Sequence, residues 1–524
     1  MTESHNPSLL SRIREQANQQ PDAVAFASST GHWTFGEFDL AASQLANTLV
    51  SRGVGAGDRV ACLTRHTPET LLLWLAAAKI GAVCMPVNWR LSAREVQWIL
   101  TNGRAKILLA DADFSAVVAS LDESIQPNVI GVHEAFGPHP SLRDLIAGYP
   151  ANDPGHHPAD DDTAIQLYSS GTTGLPKGVE LTWANLTANL QVLPETLDYQ
   201  GKAHVMFSAL PAFHIAGVIV GLLTYSMGAR LIVLPDFVPA TVLDTLVAER
   251  VTHSFFVPAM IQFLLQVPDV ESRDFSHLQG ISYGASPITQ KVLLRGIAVF
   301  KCNFSQVYGL TETTGAVTVL KPAEHQPDSA QAWKLRSAGK AMPGVELRIA
   351  DPESGEILAD GQVGEVQIRT IQNLARYWQN ETATDEALVP DDDGLNPPWF
   401  RSGDAGYMQD GYLFLHDRIK DMIISGGENI YPAEVENILM QSPMVADGAV
   451  AGVPDEQWGE AVKAFVVIAP GMATDEAALL EFMRERLAHF KCPRSVDWVK
   501  EIPRNPSGKI LKRVLREPYL KTGC

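Results

Sequence analysis

The chain is poor in cysteine, in positive charge and in long apolar runs. Its 524 residues include five cysteines, Cys62, Cys84, Cys302, Cys492 and Cys524, scattered, odd in number and without a CxxC pair. That spacing supports neither a disulfide framework nor a zinc cluster, and makes a reducing cytoplasm the default compartment. Lys and Arg number 41 against 60 Asp and Glu, a formal net charge of −19. A broad nucleic-acid interface needs a basic field, and none is present. A local anion site is still open, because backbone N–H groups and a few lysines can build one inside an acidic protein. The longest apolar stretches, such as 71–78 and 215–223, fall short of the roughly 20 residues of a membrane span. Residues 1–8 are polar and hold no apolar signal core. No transmembrane segment is expected. Peripheral membrane contact and a homodimer stay open.

What is present is an ordinary globular composition, 46% apolar and 19% charged, in a chain too long for one core. Strand and helix alternate along it. Thr34-Phe-Gly-Glu37 reads as a capping box, and Phe38, Ala42, Leu45 and Leu49 share one face of the helix that follows. Residues 59–64 read as a strand, with a helix from about Pro68 that Gly81 can end. Further on, 230–234 and 254–257 read as strands, and 241–250 and 259–267 as helices. The alternation predicts stacked α/β layers with largely parallel sheets. Residues 149–162 and 390–398, rich in Pro, Asp and Gly, read as connections. Past Arg418 the elements shorten: a helix at 433–440, strands at 448–452 and 462–468, and a helix at 475–489. These predict a small α+β domain at the C-terminal end.

The most informative segment is Tyr168-Ser-Ser-Gly-Thr-Thr-Gly-Leu-Pro-Lys-Gly178, after an apparent strand at 164–168. Small residues let backbone approach a phosphate closely. Ser169, Ser170, Thr172 and Thr173 offer hydroxyl donors and Lys177 a cation, a set that suits a polyphosphate. It is not a Walker A loop, which ends Gly-Lys-Ser/Thr; here Pro176 precedes Lys177 and Gly178 follows it.

This loop resembles the phosphate loop of the adenylate-forming superfamily, which includes acyl- and aryl-CoA synthetases, peptide-synthetase adenylation domains and beetle luciferases. Further motifs follow in the family's order, from about Thr34 to Arg516. The resemblance implies an α/β fold: a large N-terminal domain of several subdomains, 1–419, holding ATP and a carboxylic acid, and a small mobile α+β domain, 420–524. It implies an ATP-dependent acid–CoA ligase, with ATP, Mg²⁺ and coenzyme A as its small-molecule partners. A carboxylate attacks the α-phosphate, pyrophosphate leaves, and the acyl-adenylate passes its acyl group to the CoA thiol.

The resemblance also nominates residues. Tyr308-Gly-Leu-Thr-Glu312 is similar to the second nucleotide motif. Tyr308 and Gly309 would meet adenine and Thr311 a phosphate oxygen, while Glu312, with Thr172, would hold Mg²⁺ as a hard oxygen ligand. Phe400-Arg-Ser-Gly-Asp404 resembles the ribose motif, where Asp404 accepts from both sugar hydroxyls. Arg418 would contact ribose or phosphate, and Lys420 stands at the domain pivot, where relatives carry Asp or Lys. Ser425, Gly426 and Gly427 would line a narrow pantetheine tunnel. Lys509, after Gly508, matches the adenylation lysine that bridges the acid carboxylate and the α-phosphate. Leu210-Pro-Ala-Phe-His214 resembles the mouth of the acid pocket, with His214 as a gate, and Tyr283-Gly-Ala-Ser286 the strand end where adenine and acyl pocket meet. Gly284 and Ala285 would leave room there, so a bulky residue at Gly284 is expected to shorten the accepted acid and leave ATP binding alone. Residues 217–223 read equally as pocket wall and as core. The stretches 420–436 and 502–517 look most like bacterial fatty-acyl-CoA ligases, which implies a medium- or long-chain aliphatic acid. Aryl, sterol-side-chain and sulfur-containing acids, or loading of a carrier protein, are the alternatives.

Overall fold

The computed structural model describes residues 8–29, 31–123, 128–169, 176–199, 201, 203–327, 329–390, 397–426, 428–504 and 510–520. Four sheets organise them. The first runs, in spatial order, Lys340–Ala341, Gly315–Leu320, Asn303–Leu310, Gly280–Gly284, His253–Phe256, Val205–Ser208, Arg230–Val233, Val24–Ser28 and Gly31–Thr34. Its six middle strands are parallel, and antiparallel strands close both edges. The second runs Arg376–Tyr377, Lys177–Thr182, Thr163–Ser169, Val83–Pro86, Arg59–Leu63, Ala105–Ala110 and Val129–Gly131. From Thr163–Ser169 onward it is parallel.

The expectation of largely parallel sheets holds for these two and fails for the third, while the fourth suits the α+β domain expected at the C-terminal end. The third sheet, Glu346–Ala350, Gly364–Arg369, Trp399–Gln409, Leu388–Val389 and Tyr412–Arg418, is wholly antiparallel. The fourth, Glu428–Ile430, Ile423–Ser425, Gly459–Ile468 and Val445–Asp455, is antiparallel apart from Ser495–Trp498. Short turns such as Asp410-Gly411 join neighbouring strands here, and a crossover helix is not needed.

Local signals behave as the residues dictate. Thr34 Oγ1 accepts the Glu37 N–H while the Glu37 carboxylate accepts the Thr34 N–H, and the helix Phe35–Ser51 buries Phe38, Ala42, Leu45 and Leu49. Helix Pro68–Ala78 starts on proline, and Gly81 at φ 72° turns the chain into Val83–Pro86. The connection 149–162 is clamped by Asp153, which accepts from Arg14 and from the fully buried Lys79. The helix expected at 475–489 is shorter, Glu476–Arg484.

One continuous apolar core joins the two large sheets, including Phe38, Leu72, Leu186, Val218, Phe256 and Phe304. The C-terminal elements pack their own core, around Ile423, Val435, Leu439, Val466, Leu479 and Met483. The architecture is therefore a large α/β N-terminal domain and a smaller α+β C-terminal domain. Among the described residues no helix is long and apolar enough to cross a membrane.

Candidate active site

The strands Gly280–Gly284 and Asn303–Leu310 end side by side, and Ser169, Tyr308, Glu312, Asp404 and Arg418 meet around the end of the second. The 3₁₀ turn Thr311–Thr313 follows at once, and Thr314 (φ 55°) and Gly315 (φ 98°) reverse the chain into the next strand. The reversal leaves no room above Gly309, where an added Cβ would lie 1.8 Å from the Gly315 carbonyl oxygen. That close approach is the physical reason for glycine in the middle of the motif.

Two polar groups form around this turn. In the first, the Tyr308 hydroxyl donates to Asp404 Oδ2 at 2.7 Å and Arg418 Nε pairs with Asp404 Oδ1 at 2.8 Å. Asp404 and Arg418 face each other across the antiparallel pair Trp399–Gln409 and Tyr412–Arg418, so the ladder itself sets the ion pair. Arg418 Nη1 also donates to the Ser402 carbonyl at 3.0 Å. Burial, with the Asp404 carboxylate, pushes the Tyr308 hydroxyl well above the ordinary tyrosine range. Burial opposes the Arg418 charge, yet Asp404, Tyr308 and Glu312 together hold it above its ordinary value.

In the second group, Glu312 Oε1 accepts the Ser169 hydroxyl at 2.9 Å and the Tyr377 hydroxyl at 3.2 Å. The Lys177 ammonium lies 5.0 Å from the centre of the Tyr377 ring. Ser169 and Lys177 face each other at the loop end of the hairpin formed by Thr163–Ser169 and Lys177–Thr182. Beneath that hairpin the fully buried Glu180 accepts from Arg59 at 2.6 Å and Arg376 at 2.5 Å, tying it to the edge strand Arg376–Tyr377. Ser170, Thr172 and Thr173 fall outside the described residues. Tyr377 was not singled out by sequence. The signal that would have found it is the pairing of 376–377 with 179–180, which no local motif expresses.

A magnesium ion fits this donor set. Both hydrogen bonds to the Glu312 carboxylate fall on Oε1, which leaves Oε2 as a hard donor. Among the described residues no three His, Cys, Asp or Glu side chains converge as a cage. A single carboxylate completed by phosphate oxygens and water is how magnesium is ordinarily held.

The acid side differs from expectation in one respect. Gly284 sits inside the parallel pair with Val307, and an added Cβ would stand 2.3 Å from the Val307 carbonyl oxygen. A bulky residue there breaks the sheet under the nucleotide motif, so it cannot act as a simple chain-length stop. Ala285 follows in a left-handed conformation, φ 68°, a strain that marks the strand end. His214 caps the helix Ile215–Ser226, and its buried Nε2 has no hydrogen-bond partner. Burial, then the nearby Arg90, lower its pKa to about 4, so it is neutral near pH 7. Residues 217–223 are buried throughout and mostly join the main core. An added Cβ at Gly315 would come within 3.6 Å of Ile219 and 3.9 Å of Ile215, so this helix also flanks the motif turn.

Lys420 is exposed in the 3₁₀ turn Ile419–Asp421, where the chain leaves the third sheet and enters the fourth. Ser425 is buried. Gly426, at φ 63°, donates its N–H to the Trp458 carbonyl at 2.8 Å, and an added Cβ would lie 2.6 Å from the Trp458 ring. Glycine there is thus already required by the fold. Gly427 and Lys509 lie outside the described residues. The chain flanking Lys509 is anchored: Arg504 forks onto Asp447 at 2.8 and 3.0 Å and bridges to Ile510.

Residues 13–378 match the model of the AMP-binding enzyme family, and 434–509 that of the AMP-binding enzyme C-terminal domain. The chain is similar to the fatty acid–[acyl-carrier-protein] ligase ScoC of Streptomyces coeruleorubidus, 36% identical over 99% of this chain and 98% of that one. It is also similar to a feruloyl-CoA synthase of an Amycolatopsis species, 38% identical over 96% and 97% of the two chains. The crystal structure of ATP-bound MatB from Rhodopseudomonas palustris superposes with a TM-score of 0.88 at 31% identity, covering 98% of each chain. The chain belongs to the AMP-binding enzyme family, the adenylate-forming superfamily of the acyl-CoA synthetases.

Proposed function

We propose that this protein is an AMP-forming acid–thiol ligase that joins a carboxylic acid to coenzyme A at the expense of ATP. The observation that carries this reading is the convergence of Ser169, Tyr308, Glu312, Tyr377, Asp404 and Arg418, far apart in sequence, around one strand-end turn. Asp404 offers acceptors to a ribose, Arg418 a cation to ribose or phosphate, and Ser169 and Lys177 donors to a polyphosphate. Glu312, with Thr172, would hold magnesium, which neutralises the charge of the polyphosphate. The acid carboxylate attacks the α-phosphate, the bond to pyrophosphate breaks, and Lys509 offsets charge as the two anions meet. The CoA thiol then attacks the mixed anhydride and releases AMP, so no catalytic cysteine is needed. The N-terminal domain, 1–419, would bind ATP and acid. The C-terminal domain, 420–524, would turn about Lys420 between the half-reactions and present Ser425–Gly427 to pantetheine.

The acid is read as an aliphatic chain of medium or long length. Support comes from the apolar helix Ile215–Ser226 beside the motif turn and from the fatty acid named for ScoC. A screen of acids by pyrophosphate release, with and without CoA, tests both parts. Each buried methylene contributes up to about 0.8 kcal/mol, so efficiency should climb several-fold per carbon and then level off. A flat profile, or a preference for feruloyl-type acids, would overturn the aliphatic reading and leave the ligase chemistry standing. The carrier-protein acceptor named for ScoC supports a second reading. Thioester formation with holo-carrier protein but not with free CoA would favour it.

A further inference from the structure

Among the described residues, sixteen buried side-chain polar atoms have no hydrogen-bond partner, and four of them lie on one short stretch of fold: His66 Nδ1, Thr67 Oγ1, Glu69 Oε2 and Asp111 Oδ1. His66, Glu69 and Asp111 are 3%, 9% and 6% exposed. Arg65, His66 and Thr67 follow the strand Arg59–Leu63, and Asp111 follows its parallel neighbour Ala105–Ala110. From the first strand the chain crosses to Val83–Pro86 on one side, and from the second to Val129–Gly131 on the other. Adjacent connections that leave in opposite directions open a crevice beyond the carboxyl ends, where open α/β sheets take ligands. A cavity of about 200 Å³ lies there, lined by Arg65, His66, Thr67, Asp111, Asp113 and His133 among others.

The chemistry of the orphan atoms is one-sided. Asp111 Oδ2 accepts the Arg65 N–H at 2.8 Å and Glu69 Oε1 accepts from Trp33 at 3.4 Å, but their second oxygens have no donor. His66 Nε2 lies 3.1 Å from Ser208 Oγ, and in the tautomer that donates to Ser208 its Nδ1 is a further acceptor. Arg65 does not supply the missing donor: its guanidinium is engaged by Asp113 at 2.9 Å and Asp236 at 2.7 Å. His133 Nε2 stands 3.6 Å from Asp111 Oδ1, beyond hydrogen-bond length. Burial raises the Asp111 pKa, partly offset by the Arg65 N–H and His133, while Glu69 and Asp113 add to the rise. A positive group in the crevice relieves that strain. The N-terminus of the helix Pro68–Ala78 opposes a cation, but with a partial charge of about +0.5 against the full Asp111 carboxylate.

We propose that this crevice binds a primary organic ammonium ion, whose N–H donors meet Asp111 Oδ1, His66 Nδ1 and Thr67 Oγ1. A bare metal ion fits less well, since no three His, Cys, Asp or Glu side chains among the described residues converge to hold one. An anion would face the unpartnered Asp111 carboxylate oxygen. The inference is separate from the ligase chemistry, and binding is tested directly. Thermal unfolding of the full chain is followed with methylammonium chloride and with 1,4-diaminobutane, against potassium chloride and tetramethylammonium chloride at equal ionic strength. The primary amines should raise Tm saturably, by about 2–4 °C. The two controls should not, and Asp111→Asn should abolish the response. If Asp111→Asn does not fold, Thr67→Val decides: the concentration for half-maximal response should rise several-fold. Equal responses to tetramethylammonium or potassium, an unsaturable response, or an unaltered response in the foldable variant would overturn the proposal.

Discussion

Lys509 and Tyr377 carry opposite lessons about single side chains. Lys509 is nominated by its Gly-Lys context alone, and the proposed chemistry asks it to act only while two anions approach. Lys509→Ala should therefore slow adenylate formation by roughly 10²–10³, and thioester formation from supplied acyl-adenylate should stay near normal. Equal damage to both half-reactions, measured separately, would remove it from that role. Tyr377 is nominated by geometry alone. Its hydroxyl holds Glu312 at 3.2 Å while its ring faces the Lys177 ammonium. Tyr377→Phe keeps the ring and removes one hydrogen bond, worth about 0.5–1.5 kcal/mol. ATP–pyrophosphate exchange should fall roughly 2- to 10-fold, with a weaker apparent magnesium affinity and a Tm lowered by at most a few degrees. An unmoved magnesium dependence would show that the Glu312 contact is incidental.

At the scale of elements, the strand Gly280–Gly284 and the turn Ile419–Asp421 each make a prediction. Because an added Cβ at Gly284 would lie 2.3 Å from a backbone oxygen of the neighbouring strand, Gly284→Leu should destabilise the domain. The expected cost is about 1–3 kcal/mol or more, as for overpacking, seen as a lower denaturant midpoint. Acid and ATP dependence should deteriorate together. A stable variant with only a shortened acid range would restore the pocket reading that the sequence suggested. The turn behaves differently because Lys420 is exposed and lies between two sheets. Proline fixes φ and removes a donor, so Lys420→Pro should allow adenylate to form and hinder its transfer to CoA. Unimpaired single-turnover transfer from preformed adenylate would place the pivot elsewhere.

For the whole molecule, buried histidines set the response to acid. His66, His214 and His253 are each lowered by burial to about 4 from an ordinary 6.5, with Arg90 adding to the effect at His214 and His204 at His253. The unfolded chain takes up these protons near pH 6.5, and the folded chain only near pH 4. Stability is therefore full above the unfolded value and is lost as pH falls between the two. One pH unit below the unfolded value each histidine accounts for about 1.4 kcal/mol, or roughly 4 kcal/mol for the three. Denaturant midpoints measured from pH 7.5 to 4.5 should be flat at first and then drop. A midpoint that held constant down to pH 5 would mean that these imidazoles are not held neutral.

Much of this protein is legible in its amino-acid order, because its strongest signals are local. The Thr34 capping box, Pro68 at a helix start, the Ser/Thr/Gly loop before Lys177 and the Tyr308–Glu312 motif each act through neighbours within a few residues. They were enough to predict α/β layers, a small C-terminal domain and the family. Tertiary structure alone decided the rest. Glu180 joins Arg59 and Arg376, residues 121 and 196 positions away, and so carries Tyr377 to Glu312. The antiparallel third sheet and the lack of space above Gly284 depend on which strands become neighbours. The clustering of His66, Thr67 and Asp111 in a strand-end crevice depends on the direction in which two connections leave a sheet. Strand order is set by burial summed over the whole core. No window of residues expresses it, and so these contacts became visible only in the folded chain.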